Sequence, residues 1–138
     1  MRLSRKRKTD LLREIPLFSE CSRAELDQVA GVADELALPA GTVLMREGAV
    51  GKELVVLIDG EVDVTQGSTR IATRAGGDFV GELALVTQRP RTATVTATSE
   101  IRVLVVTASA FERLLHDVPA IAVKVLKAVG ERLRSEQP

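Results

Sequence analysis

The sequence predicts a mainly β domain with flanking helices (α+β). The expected form is an antiparallel β-roll or jelly-roll with N-terminal helices, a short helix inserted between strands, and two C-terminal helices. Three observations predict it. The middle of the chain is dense in Val and is broken by glycine turns at strand-length intervals. Ser and Glu at capping-box spacing flank that stretch, at Ser22/Glu25 and Ser109/Glu112, and mark helix starts. Aromatic residues make up only 2% of the chain (Phe18, Phe79 and Phe111), so Val, Leu, Ile and Ala must pack the core, and branched side chains favour pleated sheet. At 138 residues and 45% hydrophobic content, the chain suits one domain with a modest core.

The chain opens on Arg2, Arg5, Lys6, Arg7 and Lys8 with no acid among the first eight residues, while the remainder holds 14 basic and 19 acidic residues. Residues 1–8 are expected to be a basic flexible tail on an acidic body. Such a tip is usually a solvated terminus, and it also suits contact with nucleic acid, an anionic membrane or an acidic partner. The single domain is expected over 9–138. Within it, 9–32 reads as helical, interrupted near Pro16, with Leu26, Val29, Ala30 and Ala33 at helical intervals after the Ser22 cap. Gly31 weighs mildly against extending that helix.

The roll is expected over 34–106. Residues 35–38 end at the turn signal Pro39-Ala40-Gly41, and 42–45 end near Gly48 and Gly51. The apolar run 54–58, bounded by Asp59-Gly60, suits a strand buried on both faces. Val62 and Val64 alternate with Asp63 and Thr65 as in a half-buried strand, and Gly67-Ser68 turns the chain into 70–74. Two further strands are read at 92–98 and 101–106. The C-terminal helices are expected over 108–135, the second starting near Pro119, where a missing N–H costs little. Ile121, Val125, Leu126, Val129 and Leu133 form an apolar stripe that docks on the roll, shifts between two dockings, or meets a second subunit, making a homodimer through the last helix.

Composition excludes several functions. Cys21 is alone, so no internal disulfide forms, and a reducing compartment fits. No apolar run approaches the roughly 18 residues that span a bilayer, and the basic start lacks the apolar stretch of a secretory signal. A cytoplasmic location is expected. His116 is the only histidine, so no histidine cluster can hold a metal, and Cys21 lies far from it in sequence. The chain is therefore not expected to be an enzyme.

One segment fits neither strand nor ordinary turn: residues 79–94, Phe-Val-Gly-Glu-Leu-Ala-Leu-Val-Thr-Gln-Arg-Pro-Arg-Thr-Ala-Thr. Gly81 permits a close backbone approach. Glu82 to Leu85 are good helix formers, and the free amides of a helix start favour an anion. Arg91 follows nine residues after Glu82, behind Pro90. A guanidinium facing helix amides receives a phosphate, and a carboxylate beside it accepts a hydrogen bond from a sugar hydroxyl without a metal. A surface ion pair of Glu82 and Arg91 is the plainer alternative.

Gly81-Glu82-Leu83-Ala84-Leu85 followed by Pro90-Arg91-Thr92-Ala93-Thr94 resembles the phosphate-binding cassette of cyclic-nucleotide-binding domains, with Gly60 closing a strand before Glu61-Val62. The likeness covers nearly the whole chain. It implies that Arg91 pairs with the cyclic phosphate, helped by backbone amides of Leu83, Ala84 and Thr92. Glu82 would hold the ribose 2′-hydroxyl, Gly81 would let the backbone meet the sugar, and Val64 on the inner face would contact the base, with Ala93 beside it in the cassette. Thr92 stands where cGMP-responsive relatives often carry Thr and many cAMP sites carry Ala. The expected ligand is nevertheless cAMP, with cGMP the second choice and no metal. Arg132 stands where channel relatives bring an arginine over the base, and a solvated helix-end charge is its plainer reading. The last helix has no aromatic residue to cap a base.

The resemblance implies a regulatory module that binds a cyclic nucleotide and shifts its C-terminal helices, with Phe111 a hinge contact or plain core packing, to control an effector protein or domain. An interaction domain of the same fold without nucleotide binding is the alternative. Sequence-specific DNA binding through a helix-turn-helix after the last helix is not expected, because Pro138 follows Arg134 by four residues.

Overall fold

The computed structural model describes residues 5–136. Eight strands form two four-stranded antiparallel sheets, as expected for a roll. In chain order they are β1 (Ala33–Leu38), β2 (Val43–Met45), β3 (Glu53–Asp59), β4 (Glu61–Gln66), β5 (Thr69–Ala75), β6 (Phe79–Val80), β7 (Thr94–Ala97) and β8 (Ile101–Thr107). One sheet has the order β1-β8-β3-β6 and the other β2-β7-β4-β5. The helices are α1 (Arg5–Arg13), α2 (Arg23–Val32), α3 (Glu82–Thr87), α4 (Ala108–Asp117) and α5 (Pro119–Glu136), with a 3-10 turn at Pro16–Phe18.

Strand β3 is buried on both faces, and its alternation divides the core. Leu54 and Val56 join Phe18, Leu26, Phe111, Ile121 and Val125 in a cluster between the first sheet and the helices. Val55 and Leu57 point the other way, into the roll, against Val62, Val64, Val95 and Val103. One continuous apolar strand thus serves two cores. Phe111 is fully buried in the helix-facing cluster. Gly60, at φ +96°, ends β3 where an added Cβ would lie 2.5 Å from the Glu100 carbonyl oxygen.

The ends of several elements differ from the sequence expectation. Helix α1 begins at Arg5, so residues 5–8 are helical rather than tail, and residues 1–4 lie outside the described residues. Lys8 is tied down, donating to the Ala33 carbonyl at 2.7 Å. Gly31 lies within α2, whose Ser22/Glu25 capping box forms as read. Ser109 does not cap α4: the cap is Thr107, which accepts from the Ala110 N–H at 3.2 Å because β8 runs straight into the helix. The apolar stripe of α5 keeps Ile121, Val125 and Val129 on its inner side, but Leu126 is 73% and Leu133 51% exposed. Leu126 lies about 140° round the helix from Ile121, outside the buried face. Among the described residues, no helix is long and apolar enough to cross a membrane.

Candidate functional site

Strand β6 delivers the chain to the site. It pairs with β3 through Val55↔Val80 and Val56↔Phe79, and then turns at Gly81 into α3. Gly81 is required there twice over. Its φ is +95°, and a Cβ would stand 2.8 Å from Arg91 Nη1 and 3.0 Å from the Glu53 carbonyl oxygen. The glycine has no side chain to cap α3, so the start of that helix has no side-chain cap bond.

Arg91 is only 7% exposed. Its backbone is pinned to the turn after β2, since Arg91 N donates to Ala49 O and Gly48 N to Arg91 O, both at 2.8 Å. The guanidinium donates through Nη1 to Gly81 O at 2.9 Å and through Nη2 to Glu53 O at 2.8 Å. Burial pushes the guanidinium below its ordinary pKa, and the charges of Glu53 and Glu82 pull it back up. The group remains cationic, and two of its five N–H donors go to the two carbonyls.

Around this pair lies a cleft of about 260 Å³, lined by Val64 and Gln66 of β4, Ile71 and Arg74 of β5, Gly81, Glu82, Arg91, Thr92, Ala93, and Val129, Arg132 and Leu133 of α5. The cleft therefore gathers Val64, Gly81, Glu82, Arg91, Thr92, Ala93 and Arg132, while Leu83 and Ala84 lie in α3 and are not among its lining residues. Glu82 is 6% exposed and receives Arg132 Nη1 on its Oε1. Arg132 is not a solvated helix-end charge, because it reaches back from α5 to the cassette.

Residues that the sequence reading did not single out complete the site. Gln66 Nε2 donates to the Thr92 carbonyl at 3.1 Å and braces the loop after Arg91. Asp78, one residue before β6, takes Arg132 Nη2 on Oδ1 at 2.6 Å and holds Arg74 Nε 3.7 Å from Oδ2. A larger groove of about 450 Å³ lies between Val50, Pro90 and α4, but its only charged side chains are Arg89 and Glu112, and no buried ionic pair faces it. Among the described residues, no group of His, Cys, Asp and Glu could hold a metal ion.

The cleft has the chemistry for an anion beside a hydroxyl donor: a buried cation, Arg91, and a buried carboxylate, Glu82, at the start of α3. The sequence model of the cyclic nucleotide-binding domain family matches residues 35–117. The chain is 33% identical over 126 residues to a cyclic nucleotide-gated potassium channel of Rhizobium etli, covering 91% of this chain and 35% of that one. It is 34% identical over 114 residues to the cAMP-dependent protein kinase regulatory subunit of Colletotrichum orbiculare, covering 81% of this chain and 29% of that one. The chain thus spans about a third of the length of these relatives. Among solved structures, the regulatory subunit PfPKA-R with cAMP bound superposes with a TM-score of 0.82 at 28% identity, over 94% of this chain and 46% of that one. The regulatory subunit of a cAMP-independent protein kinase A from Trypanosoma brucei superposes with a TM-score of 0.83 at 25% identity, over 92% and 46%.

Proposed function

Because the chain belongs to the cyclic nucleotide-binding domain family, we propose that it is a non-enzymatic sensor that captures cAMP, with cGMP as second ligand, in the cleft between β4, the cassette and α5. The observation that carries the reading is the Arg91 guanidinium, buried and locked by Gly81 O and Glu53 O at the floor of a cleft that Glu82 also lines. Such a cation is oriented before any ligand arrives, so little ordering entropy is lost on binding.

In this reading Arg91 donates to the equatorial oxygens of the cyclic phosphate, and the amides of Leu83, Ala84 and Thr92 supply further donors. Glu82 accepts from the ribose 2′-hydroxyl, and Val64 and Ala93 pack against the base. The Thr92 side chain is exposed at the rim, available to a purine edge. Binding favours one arrangement of α4 and α5 over another, and an effector protein or domain, or a second copy of the chain, reads that arrangement through Val123, Leu126 and Leu133, the exposed apolar residues of α5. A second reading, an interaction domain without nucleotide binding, is favoured by one finding. The cAMP-independent subunit of Trypanosoma brucei has the same fold.

Calorimetric titration with cAMP and cGMP on the wild type and on Arg91→Ala separates the two. One charge-assisted hydrogen bond contributes about 1.5–3 kcal/mol, so the substitution is expected to weaken binding by about 10- to 100-fold. Absence of heat with either nucleotide, from folded wild-type protein, would make the interaction-domain reading the better one.

A further inference from the structure

Among the described residues the two sheets end in the edge strands β1, β6, β2 and β5. The last three are guarded against pairing with another chain. Strand β6 is two residues long and turns at once into α3. Strand β2 has three residues, and its register shifts against β7. Strand β5 carries Arg70, Arg74 and a register shift of its own. Shortness, bulges and basic side chains keep an edge from templating a new strand. Strand β1 has none of these. It runs six residues, Ala-Asp-Glu-Leu-Ala-Leu, in unbroken register from Ala33↔Val106 to Leu38↔Ile101. It pairs with β8 on one side, and among the described residues no strand lies on the other. Leu36, in its second half, is 43% exposed.

We propose that β1 docks on β1 of a second copy of this chain, antiparallel about a two-fold axis at Leu36. The β1-β8-β3-β6 sheet then continues as one sheet of eight strands. In that register Leu36 faces Leu36 of the second copy, Ala37 faces its Glu35 and Leu38 faces its Asp34, so no acid stands opposite an acid. The charges favour a second copy as the occupant. Arg102 of β8 lies directly across from Ala37, and its half-exposed guanidinium meets Glu35 of its own chain at 3.1 Å and Asp59 at 3.3 Å. Residues directly opposite one another share a face of the sheet, so one row reads Arg102, Ala37, Glu35 of the second copy. Strands stand about 4.8 Å apart, and the small Ala37 side chain leaves the space between these two charges open. The two-fold axis repeats the row, which gives one ion pair between copies on each side of the Leu36 pair. Arg102 also sets a positive charge beside any basic strand that approaches this edge, and so disfavours a basic peptide there.

Sedimentation equilibrium on the wild type, Leu36→Lys and Leu36→Asp tests the proposal. A short edge buries few side chains, so the dissociation constant is expected in the weak range, about 10–1,000 µM. Across that range the apparent mass of the wild type is expected to rise toward twice that of the single chain. Each variant sets like charges against each other at the axis and is expected to stay at single-chain mass. Mixed in equal amounts, the two set Lys against Asp and are expected to regain the dimer, which also shows that both fold. Amide exchange on the wild type needs no variant. At about ten times the dissociation constant, exchange over 34–38 is expected to slow about fivefold, the inverse of the monomer fraction, while 123–133 stays unchanged. Single-chain mass of the wild type at about 1 mM overturns the proposal, as does exchange over 34–38 that is independent of concentration. A dimer that survives Leu36→Lys and is lost on Leu126→Ser overturns it too, and places the contact on α5.

Discussion

The first half of α5 and its last turns share one helix but differ in what restrains them. Ile121 and Val125 sit among Phe18, Phe111 and Leu114, where apolar burial is strong, undirected and not subject to charge screening. Arg132 holds the far end through oxygens of Glu82, Asp78 and Phe79, contacts that are directional and ionic. The comparison teaches that one helix of a small domain can be held along its length by two kinds of contact, apolar near its start and ionic near its end. The start of α5 is dry and its end is ionic.

Breaking the anchor produces the largest effect. Ile121→Ala is expected to destabilise the domain by about 2–5 kcal/mol, the range for deleting a buried aliphatic side chain and leaving a cavity. Chemical denaturation reads this directly, and a loss below about 1 kcal/mol would mean that α5 is not anchored there.

Gly81→Ala comes next. The left-handed φ is strained for any other residue, at about 1–3 kcal/mol, and the new methyl displaces the Arg91 guanidinium. Both stability and cAMP affinity are expected to fall, whereas a variant with normal stability and normal affinity would show that Arg91 need not be locked. Arg132→Gln is expected to cost about 1 kcal/mol or less in stability, while the end of α5 loosens. Salt sharpens the same contrast. At about 1 M the screening length is about 3 Å, so amide exchange should quicken over 126–134 and stay unchanged over 119–125. Uniform quickening would place both halves under one force. Leu126→Ser, at a side chain that is 73% exposed, is expected to change stability by less than about 0.5 kcal/mol.

Much of this architecture was legible before any coordinates. Glycine punctuation and Val alternation located seven of the eight strands, and the segment 79–94, which read as neither strand nor ordinary turn, contributes Gly81, Glu82 and Arg91 to the cleft. Strand β6 was missed because Phe79–Val80 is two residues long and exists only by pairing with β3, leaving no alternation to read. The Ser109 cap was misplaced because Thr107 ends β8 and caps α4 at once, and spacing alone cannot rank two hydroxyls two residues apart.

Arg74 shows a deeper reason. Counting back from the β4–β5 turn, where Gln66 pairs with Thr69 and Thr65 with Arg70, an unbroken register would set Arg74 opposite Glu61, on the outer face. The register shifts between Val64 and Thr65, so that Val64 pairs with Ala72 and Val62 with Arg74. One extra residue in β5 turns the arginine onto the face of Val62 and into the cleft.

What the sequence determined by itself was local and periodic: the strands and helices that hydrophobic period and capping chemistry specify, and the short segment around Gly81, Glu82 and Arg91 that fits neither. Only the tertiary structure decided which face Arg74 presents, where Asp78 stands, and that Arg132, 50 residues beyond Glu82, reaches back to it. Those placements depend on a bulge and on the docking of α5, which are set by packing among residues distant in the chain and leave no periodic trace within it.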